Sequence, residues 1–477
     1  MNMLINGEFV PSSDHSAIDV INPYDGTLVD QVPAATAFDV NRAVLAAKEA
    51  QKSWKKVPVH ERAAIVYRFL ELVEQQKEEL AMTLTLESGK NINETTVEIR
   101  NIFTAWRAFA EKAKHLYGTV LPAGQEPGHE RNLVLTQREP IGVIACIIPF
   151  NFPCNLFNQK VAPALLSGNA AIVKPATDNP ITILKLGKLL MEAGIPKGVL
   201  QVITGRGATV GDALCSHEDV HAITLTGSTK VGIDVAATAA RRLCHVSLEL
   251  GGNDAFIVLP DADLDLAVNE AANARFYNAG QICCAPKRFL IHRTLKDAFV
   301  EKILERVKAI PAGDPKVPST KIGTLINEKA AMEVERQIQD TVVAGGRILI
   351  GGHRKGAFVE PTVIDEVPHD AAIAHDMEVF GPVMPIIPFD TEEEALSIAN
   401  DSIYGLGGSV FTQDMKKAFY FSNELECGSV VINGSSYFRS FEMPFGGFKQ
   451  SGIGQEGVFS TFEELTRLKC ITLKGIL

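Results

Sequence analysis

Three short segments carry side chains suited to carbonyl chemistry. Phe276-Tyr277-Asn278-Ala279-Gly280-Gln281-Ile282-Cys283-Cys284 puts a thiol doublet just after a glycine, where a helical pattern gives way to a loop. A nucleophilic thiolate must be reached by its substrate, and a loop beside a glycine permits that approach. The plain alternative is a buried cysteine acting as a small apolar side chain. Val246-Ser247-Leu248-Glu249-Leu250-Gly251-Gly252-Asn253-Asp254 ends an apolar run on a carboxylate that enters a Gly-Gly turn. A charge there is costly unless it is paired, hydrated or used, and its plain alternative is a cap on the turn. Pro149-Phe150-Asn151-Phe152-Pro153 holds an amide between two prolines, directly after the apolar run Val143 to Ile148. The prolines fix the backbone, so Asn151 is available as a preset hydrogen-bond donor at a strand end, where α/β proteins gather their active-site loops.

Together these segments resemble the aldehyde dehydrogenase superfamily, with a likeness running from about Asn6 to the C-terminus. The family's Glu-Leu-Gly-Gly stands at Glu249 to Gly252 and its Gly-Gln-x-Cys at Gly280 to Cys283, at the family's usual separation. The resemblance implies that Cys283 is the nucleophile and Cys284 a neighbour. It implies thiolate attack on an aldehyde, hydride transfer to a nicotinamide dinucleotide, and hydrolysis of the resulting thioester. Asn151 and the backbone N–H of Cys283 then stabilise the oxyanion, an effect of about 3–4 kcal/mol per donor in acyl-transfer enzymes. Glu249 activates Cys283 or the hydrolytic water.

The same resemblance implies a cofactor site built from Phe150, Lys174, Thr177, Gly207, Gly227, Ser228, Glu378 and Phe380. Lys174 matches the lysine that reaches the adenosine ribose, and Glu378, beside Phe380, the carboxylate on the nicotinamide ribose. Leu225 to Gly232 reads as strand, glycine, helix, and a helix start can receive a pyrophosphate. A simple tight turn is the plain alternative there, and the G-x-G-x-x-G fingerprint is absent. Many NAD-using members carry Glu three residues after the lysine, where this chain has Thr177. Loss of that charge makes NADP acceptable or preferred, although Asp178 next door restores some repulsion. The expected cofactor is NADP or NAD.

For the substrate, Asn155, Arg107 and Arg439 stand out. Similar subfamilies with an Arg near position 439 act on small hydroxylated or anionic aldehydes such as lactaldehyde, glyceraldehyde 3-phosphate or succinic semialdehyde, and a guanidinium suits a carboxylate or phosphate. Structural ion pairs or subunit contacts are the alternative for both arginines. A rival activity is acylating transfer to coenzyme A, whose enzymes typically lack the Glu of Glu-Leu-Gly-Gly; a non-enzymatic rival is a retired binding protein of the same fold.

These residues need rigid elements to position them. Apolar spacing predicts helices over Val40 to Trp54, Glu61 to Leu86 and Thr95 to Leu116, with a breaker at Ser88-Gly89-Lys90-Asn91. From Gly142 short apolar runs alternate with helical segments: Val143 to Ile148, Ala170 to Val173, Leu200 to Ile203, Ala222 to Leu225 and Val246 to Leu248, with a helix over Ile181 to Ala193. Buried parallel strands covered by helices are implied. A second cycle begins at Ala255 to Leu259. The fold class is α/β: a Rossmann-like dinucleotide-binding domain (1–120 and 141–251), a second α/β catalytic domain (252–452), and a small β oligomerisation arm (121–140 and 453–477). Arg131 to Arg138 and Leu468 to Leu473 would pair in that arm, and exposed strands need cover, so a homodimer or homotetramer is expected.

At 477 residues two large domains are natural, and 46% hydrophobic with 22% charged residues is ordinary globular composition. A net charge of -11 argues against nucleic acid and anionic membrane as partners. The N-terminus has no signal-like segment and no run suits a membrane span, and the 8 scattered cysteines fit a reduced compartment, so a cytoplasmic location is expected. His217 and His221 read as ordinary residues at a helix-to-strand junction, and no metal is expected.

Overall fold

The computed structural model describes residues 1–477. The runs of short apolar segments become two large sheets. In the first, the strands lie in the order Glu8–Val10, Met3–Ile5, Leu200–Val202, Ala170–Lys174, Val143–Ile147, Ala222–Thr226, His245–Glu249, Gly452–Ile453. From Leu200–Val202 to His245–Glu249 all neighbours are parallel. Alternate residues of Val143–Ile147 enter different cores, Ile144 and Cys146 on one face, Val143 and Ala145 on the other. Burial on both faces is why the strand reads as continuously apolar rather than alternating. Chain order reverses on either side of Val143–Ile147, which creates the switch point where doubly wound sheets bind ligands beyond their C-terminal strand ends. Asn151, Lys174, Gly227 and Glu249 lie at or just past such ends.

The second sheet runs Arg347–Ile350, Thr362–Asp365, Val383–Phe389, Pro286–His292, Asp254–Val258, Gly407–Phe411, Ser429–Ile432, parallel except at its first pair. Cys283 precedes Pro286–His292 and Glu378 precedes Val383–Phe389, so this sheet supplies its candidate residues from N-terminal strand ends. The first sheet supplies its own from C-terminal ends.

The helices expected at the N-terminal side form over Ala37–Trp54, Val59–Ser88 and Ile92–Ala113. Gly89 closes the second in a left-handed conformation (φ 73), and the Asn91 side chain caps the third. Leu133–Pro140 pairs antiparallel with Thr466–Leu473 over its whole length, as the two outlying apolar segments suggested. The intervening C-terminal chain goes elsewhere: Ile453 closes the edge of the first sheet, and Val458, Phe462 and Leu465 pack into its core. The N-terminal hairpins, Met3–Ile5 with Glu8–Val10 and Ala17–Ile21 with Leu28–Pro33, are built from strands of only three to six residues, too short for a clear periodic signal in the sequence. Nδ1 of His221 accepts from the N–H of Val143, and Nδ1 of His217 from that of Asp219, between the helix Asp212–Ser216 and the strand Ala222–Thr226. All eight cysteines are free, and no helix is long and apolar enough to cross a membrane.

Candidate active site

The helix Leu264–Phe276 stops because Asn278 and Ala279 both take a left-handed backbone (φ 51). Two successive non-glycine residues there cost of order 1–3 kcal/mol each, so the surroundings must hold them. Glu94 Oε1 accepts the Asn278 N–H at 3.0 Å, and Asn278 Nδ2 donates to the Asn151 carbonyl at 3.0 Å. Gln281 Nε2 donates back to the Asn278 carbonyl at 3.1 Å, while its Oε1 accepts the Ile326 N–H at 2.9 Å. At Gly280 a side chain would overlap the Gly381 carbonyl, so the glycine of the motif lets this loop close on the loop holding Phe380.

The Asn151 turn is held from below. Lys90 Nζ donates to the Asn151 carbonyl at 2.7 Å and to Glu98 at 2.6 Å, and Glu98 Oε1 in turn accepts the Cys154 N–H at the start of the helix Pro153–Leu166. A carboxylate at a helix N-terminus satisfies donors that have no partner within the helix. The Asn151 side chain is buried, and its Nδ2 donates at 3.1 Å to the carbonyl of Gln281, two residues before Cys283. The amide donor and the thiol-bearing loop are thus in direct contact.

Glu249 ends its strand buried, and neither carboxylate oxygen has a hydrogen-bond partner. Burial, followed by the charge of Glu456, drives its pKa well above the carboxylate range; Arg439 opposes that shift and the Cys283 sulfur adds to it. Once ionised, a carboxylate in this state binds a proton more readily than an ordinary one. The glycines after it are needed for approach: a Cβ at Gly251 would lie 2.6 Å from Glu378 Oε2, and one at Gly252 2.8 Å from the Cys283 carbonyl.

A cavity of about 510 Å³ opens at Cys283, lined also by Asn151, Asn155, Cys284, Tyr277, Tyr437 and Arg439. Asn155 Oδ1 accepts from Asn101 Nδ2 at 3.2 Å, and Asn101 lines the same cavity. Arg439 Nη2 donates to Glu456 at 2.8 Å, its guanidinium stacks 3.9 Å from the centre of the Phe445 ring, and its Nε is buried without an acceptor. Arg107 is a correction. It is exposed on the helix Ile92–Ala113 and does not line the cavity. Asn101 takes the inward place, and six residues on, at about 100° each, the helix has turned well away from it.

The expected cofactor residues lie outside the lining of the Cys283 cavity. Glu378 Oε1 accepts the Gly252 N–H at 3.1 Å and faces Lys287 at 3.4 Å. Phe380 and Phe150 meet edge-on at 5.9 Å. Ser228 caps the helix Thr229–Ala240; a Cβ at Gly227 would meet only Leu225, and one at Gly207 nothing, so backbone is open to approach at both. Lys174 is buried, donates only to the Pro175 carbonyl at 2.9 Å, and burial lowers its pKa to about 8. Thr177 Oγ1 donates to the Gly205 carbonyl at 3.2 Å, and Thr177, Asp178 and Arg206 line a second cavity of about 1080 Å³. A buried cation short of anions, backbone open to approach at Gly207 and Gly227, and a carboxylate for a ribose diol fit a dinucleotide.

Sequence reasoning passed over Lys90, Glu94, Glu98, Arg206, Lys287 and Glu456. A signal existed for Lys287, a lysine four residues after the thiol that, with Arg288, opens the strand run leading into Phe289-Leu290-Ile291.

The matching family model, Aldehyde dehydrogenase family, spans residues 9–471. A 3-sulfolactaldehyde dehydrogenase of Priestia megaterium is 39% identical over 99% of this chain and 97% of its own. The mitochondrial succinate-semialdehyde dehydrogenase of Arabidopsis thaliana is 39% identical over 98% of this chain and 88% of its own. Among solved structures, an E. coli NADP dependent enzyme superposes with TM-score 0.96 at 36% identity, covering 99% of this chain and 98% of that one. The chain belongs to the aldehyde dehydrogenase family. Its activity is the NAD(P)-dependent oxidation of an aldehyde to its carboxylic acid.

Proposed function

We propose that the substrate is a short anionic or hydroxylated aldehyde, oxidised with NADP accepted at least as well as NAD. The observation that carries this reading is Arg439, a guanidinium lining the Cys283 cavity with one buried donor left over. A sulfonate or carboxylate on a short chain supplies the missing acceptor. The names of the relatives, sulfolactaldehyde and succinate-semialdehyde dehydrogenases, fit that chemistry.

In this reading the Cys283 thiol first gives up its proton, the thiolate sulfur bonds to the aldehyde carbon, and the carbonyl oxygen becomes an oxyanion, which Asn151 Nδ2 stabilises after exchanging its contact with the Gln281 carbonyl. A nicotinamide dinucleotide would be held by Lys174 and Ser228 at one end and by Glu378 beside Phe380 at the other, and when bound would accept the hydride lost from the carbon attached to sulfur. The carbon, now a thioester on Cys283, is attacked by a water whose proton passes to Glu249. The C–S bond breaks and the acid departs. Glu249 favours water over coenzyme A as the acyl acceptor.

Thr177 in place of a carboxylate, with Arg206 beside it, supports room for a 2′-phosphate. The strand Thr466–Leu473 pairs along one edge only, with Leu468 and Leu473 exposed, which supports a homodimer or tetramer assembled through this arm. The free thiols suit a reducing, cytoplasmic setting.

The test is a panel of kcat/KM values for succinic semialdehyde, sulfolactaldehyde and an uncharged aldehyde of similar length, each with NADP and NAD. Anionic substrates should lead by about tenfold or more, near 1.4 kcal/mol. Equal values reject the substrate reading. Cys283→Ala should bind cofactor and turn over nothing.

A further inference from the structure

Lys287 is a lysine in the strand Pro286–His292 with a side chain only 1% exposed. A buried ammonium costs several kcal/mol unless partners repay it. Its Nζ donates to the Cys283 carbonyl at 2.6 Å, stands 3.4 Å from Glu378 Oε1, and lies 6.0 Å from the centre of the Phe380 ring. Glu378 is otherwise lightly engaged, accepting from the Gly252 N–H, and its side chain remains 17% exposed. One ammonium therefore bridges the backbone carbonyl of Cys283 and the carboxylate of Glu378.

We propose that Lys287 is a positioning residue that relays occupancy of Glu378 to Cys283, so that a ribose diol on that carboxylate prepares the thiol for attack. This rests on the reading of Cys283 as nucleophile and Glu378 as ribose ligand. Hydroxyls donating to Glu378 spread its negative charge and loosen its hold on the ammonium. The field at Cys283 then becomes more positive, which favours the thiolate.

The charged and titratable groups facing Cys283 are Cys284 on its own loop, Lys287 on the following strand, Arg439 on the C-terminal loop and Glu249 at the end of its strand. Asp254 lies beyond Lys287, and Glu456 beyond Arg439. Cys284 and burial hold the Cys283 thiol up, while Lys287 and Arg439 pull it down. Of the two cations, Lys287 is the one paired with Glu378; Arg439 is paired with Glu456.

The experiment measures the rate of iodoacetamide alkylation at Cys283, located by peptide mass spectrometry, across pH with and without saturating NADP. In the wild type the cofactor should move the midpoint down by about one pH unit, a tenfold faster reaction on the acid limb. Lys287→Met should bind NADP yet lose the cofactor-dependent shift, Lys287→Arg should keep part of it, and Glu378→Gln should lose it. An unchanged shift in Lys287→Met overturns the proposal, as does a wild type with no shift. Should Lys287→Met not fold, an unchanged shift in Glu378→Gln is equally decisive. Failure of the underlying reading looks different, since Cys283→Ala would then retain turnover.

Discussion

Arg439 Nη2 stands 2.8 Å from Oε2 of Glu456, whose other oxygen receives Lys160 Nζ at 2.7 Å, and the charges of all three act on Glu249. The guanidinium is thereby fixed in the cavity wall at the cost of one of its donors. Arg439→Met should lower kcat/KM for an anionic aldehyde by about tenfold or more while changing an uncharged one by less than about threefold. Because the substitution leaves the buried Glu456 with Lys160 alone, Tm should be followed in parallel; equal losses for both substrates would take Arg439 out of substrate recognition.

Glu249 as base for the second half-reaction predicts a split between two phases. Glu249→Gln should still release a first equivalent of reduced cofactor, followed by a steady state slower by about a hundredfold or more. Its pKa lies well above the carboxylate range, chiefly through burial, so the wild-type steady-state rate should climb as pH rises and the group loses its proton. That limb should vanish in the Gln variant, and a rapid-mixing trace with no burst would contradict the assignment.

Glu94 ties stability to pH through the strained loop. Burial pushes it up to about 7 from an ordinary 4.5, against the pull of the Asn278 N–H and Lys90. The folded protein therefore holds this proton more tightly than the unfolded chain. The associated stability is fully present below about pH 4.5 and is lost as pH rises through about 7, at most about 3 kcal/mol. Glu87, likewise raised to about 7 by burial, acts in the same window. Thermal unfolding from about pH 5 to 8 should show Tm falling, and less steeply in Glu94→Gln, whose amide oxygen still accepts from Asn278. A slope equal to that of the wild type would exclude Glu94.

Cofactor choice is open to a charge exchange. Thr177→Glu should restore repulsion of a 2′-phosphate and lower kcat/KM for NADP about tenfold or more, with NAD unchanged or improved. Arg206→Ala should weaken NADP alone. Asp178 already occupies Oδ1 with Asn327 Nδ2 at 3.1 Å, which limits its claim on the ribose. If both variants treat the two cofactors alike, neither residue reads the phosphate.

The sequence by itself determined which residues are chemically equipped and which elements carry them. Cys283, Glu249 and Asn151 sit in motifs whose glycines and prolines are local necessities, and the parallel strands announce themselves because burial on both faces demands unbroken apolar runs. The pairing of the two outlying segments was legible as well, since Arg131 to Arg138 and Leu468 to Leu473 read as strand-like runs remote from the others, and Leu133–Pro140 pairs with Thr466–Leu473. Tertiary structure alone decided what meets what. Helical phase turned Arg107 outward and Asn101 inward, a difference of direction that composition does not encode. The partners of Lys287, Arg439 and Glu98 come from segments far away in the chain, or from folding a near neighbour's backbone toward the side chain. A charge becomes structural or functional only when burial removes water and leaves it one set of partners, and that set is a property of the packed chain.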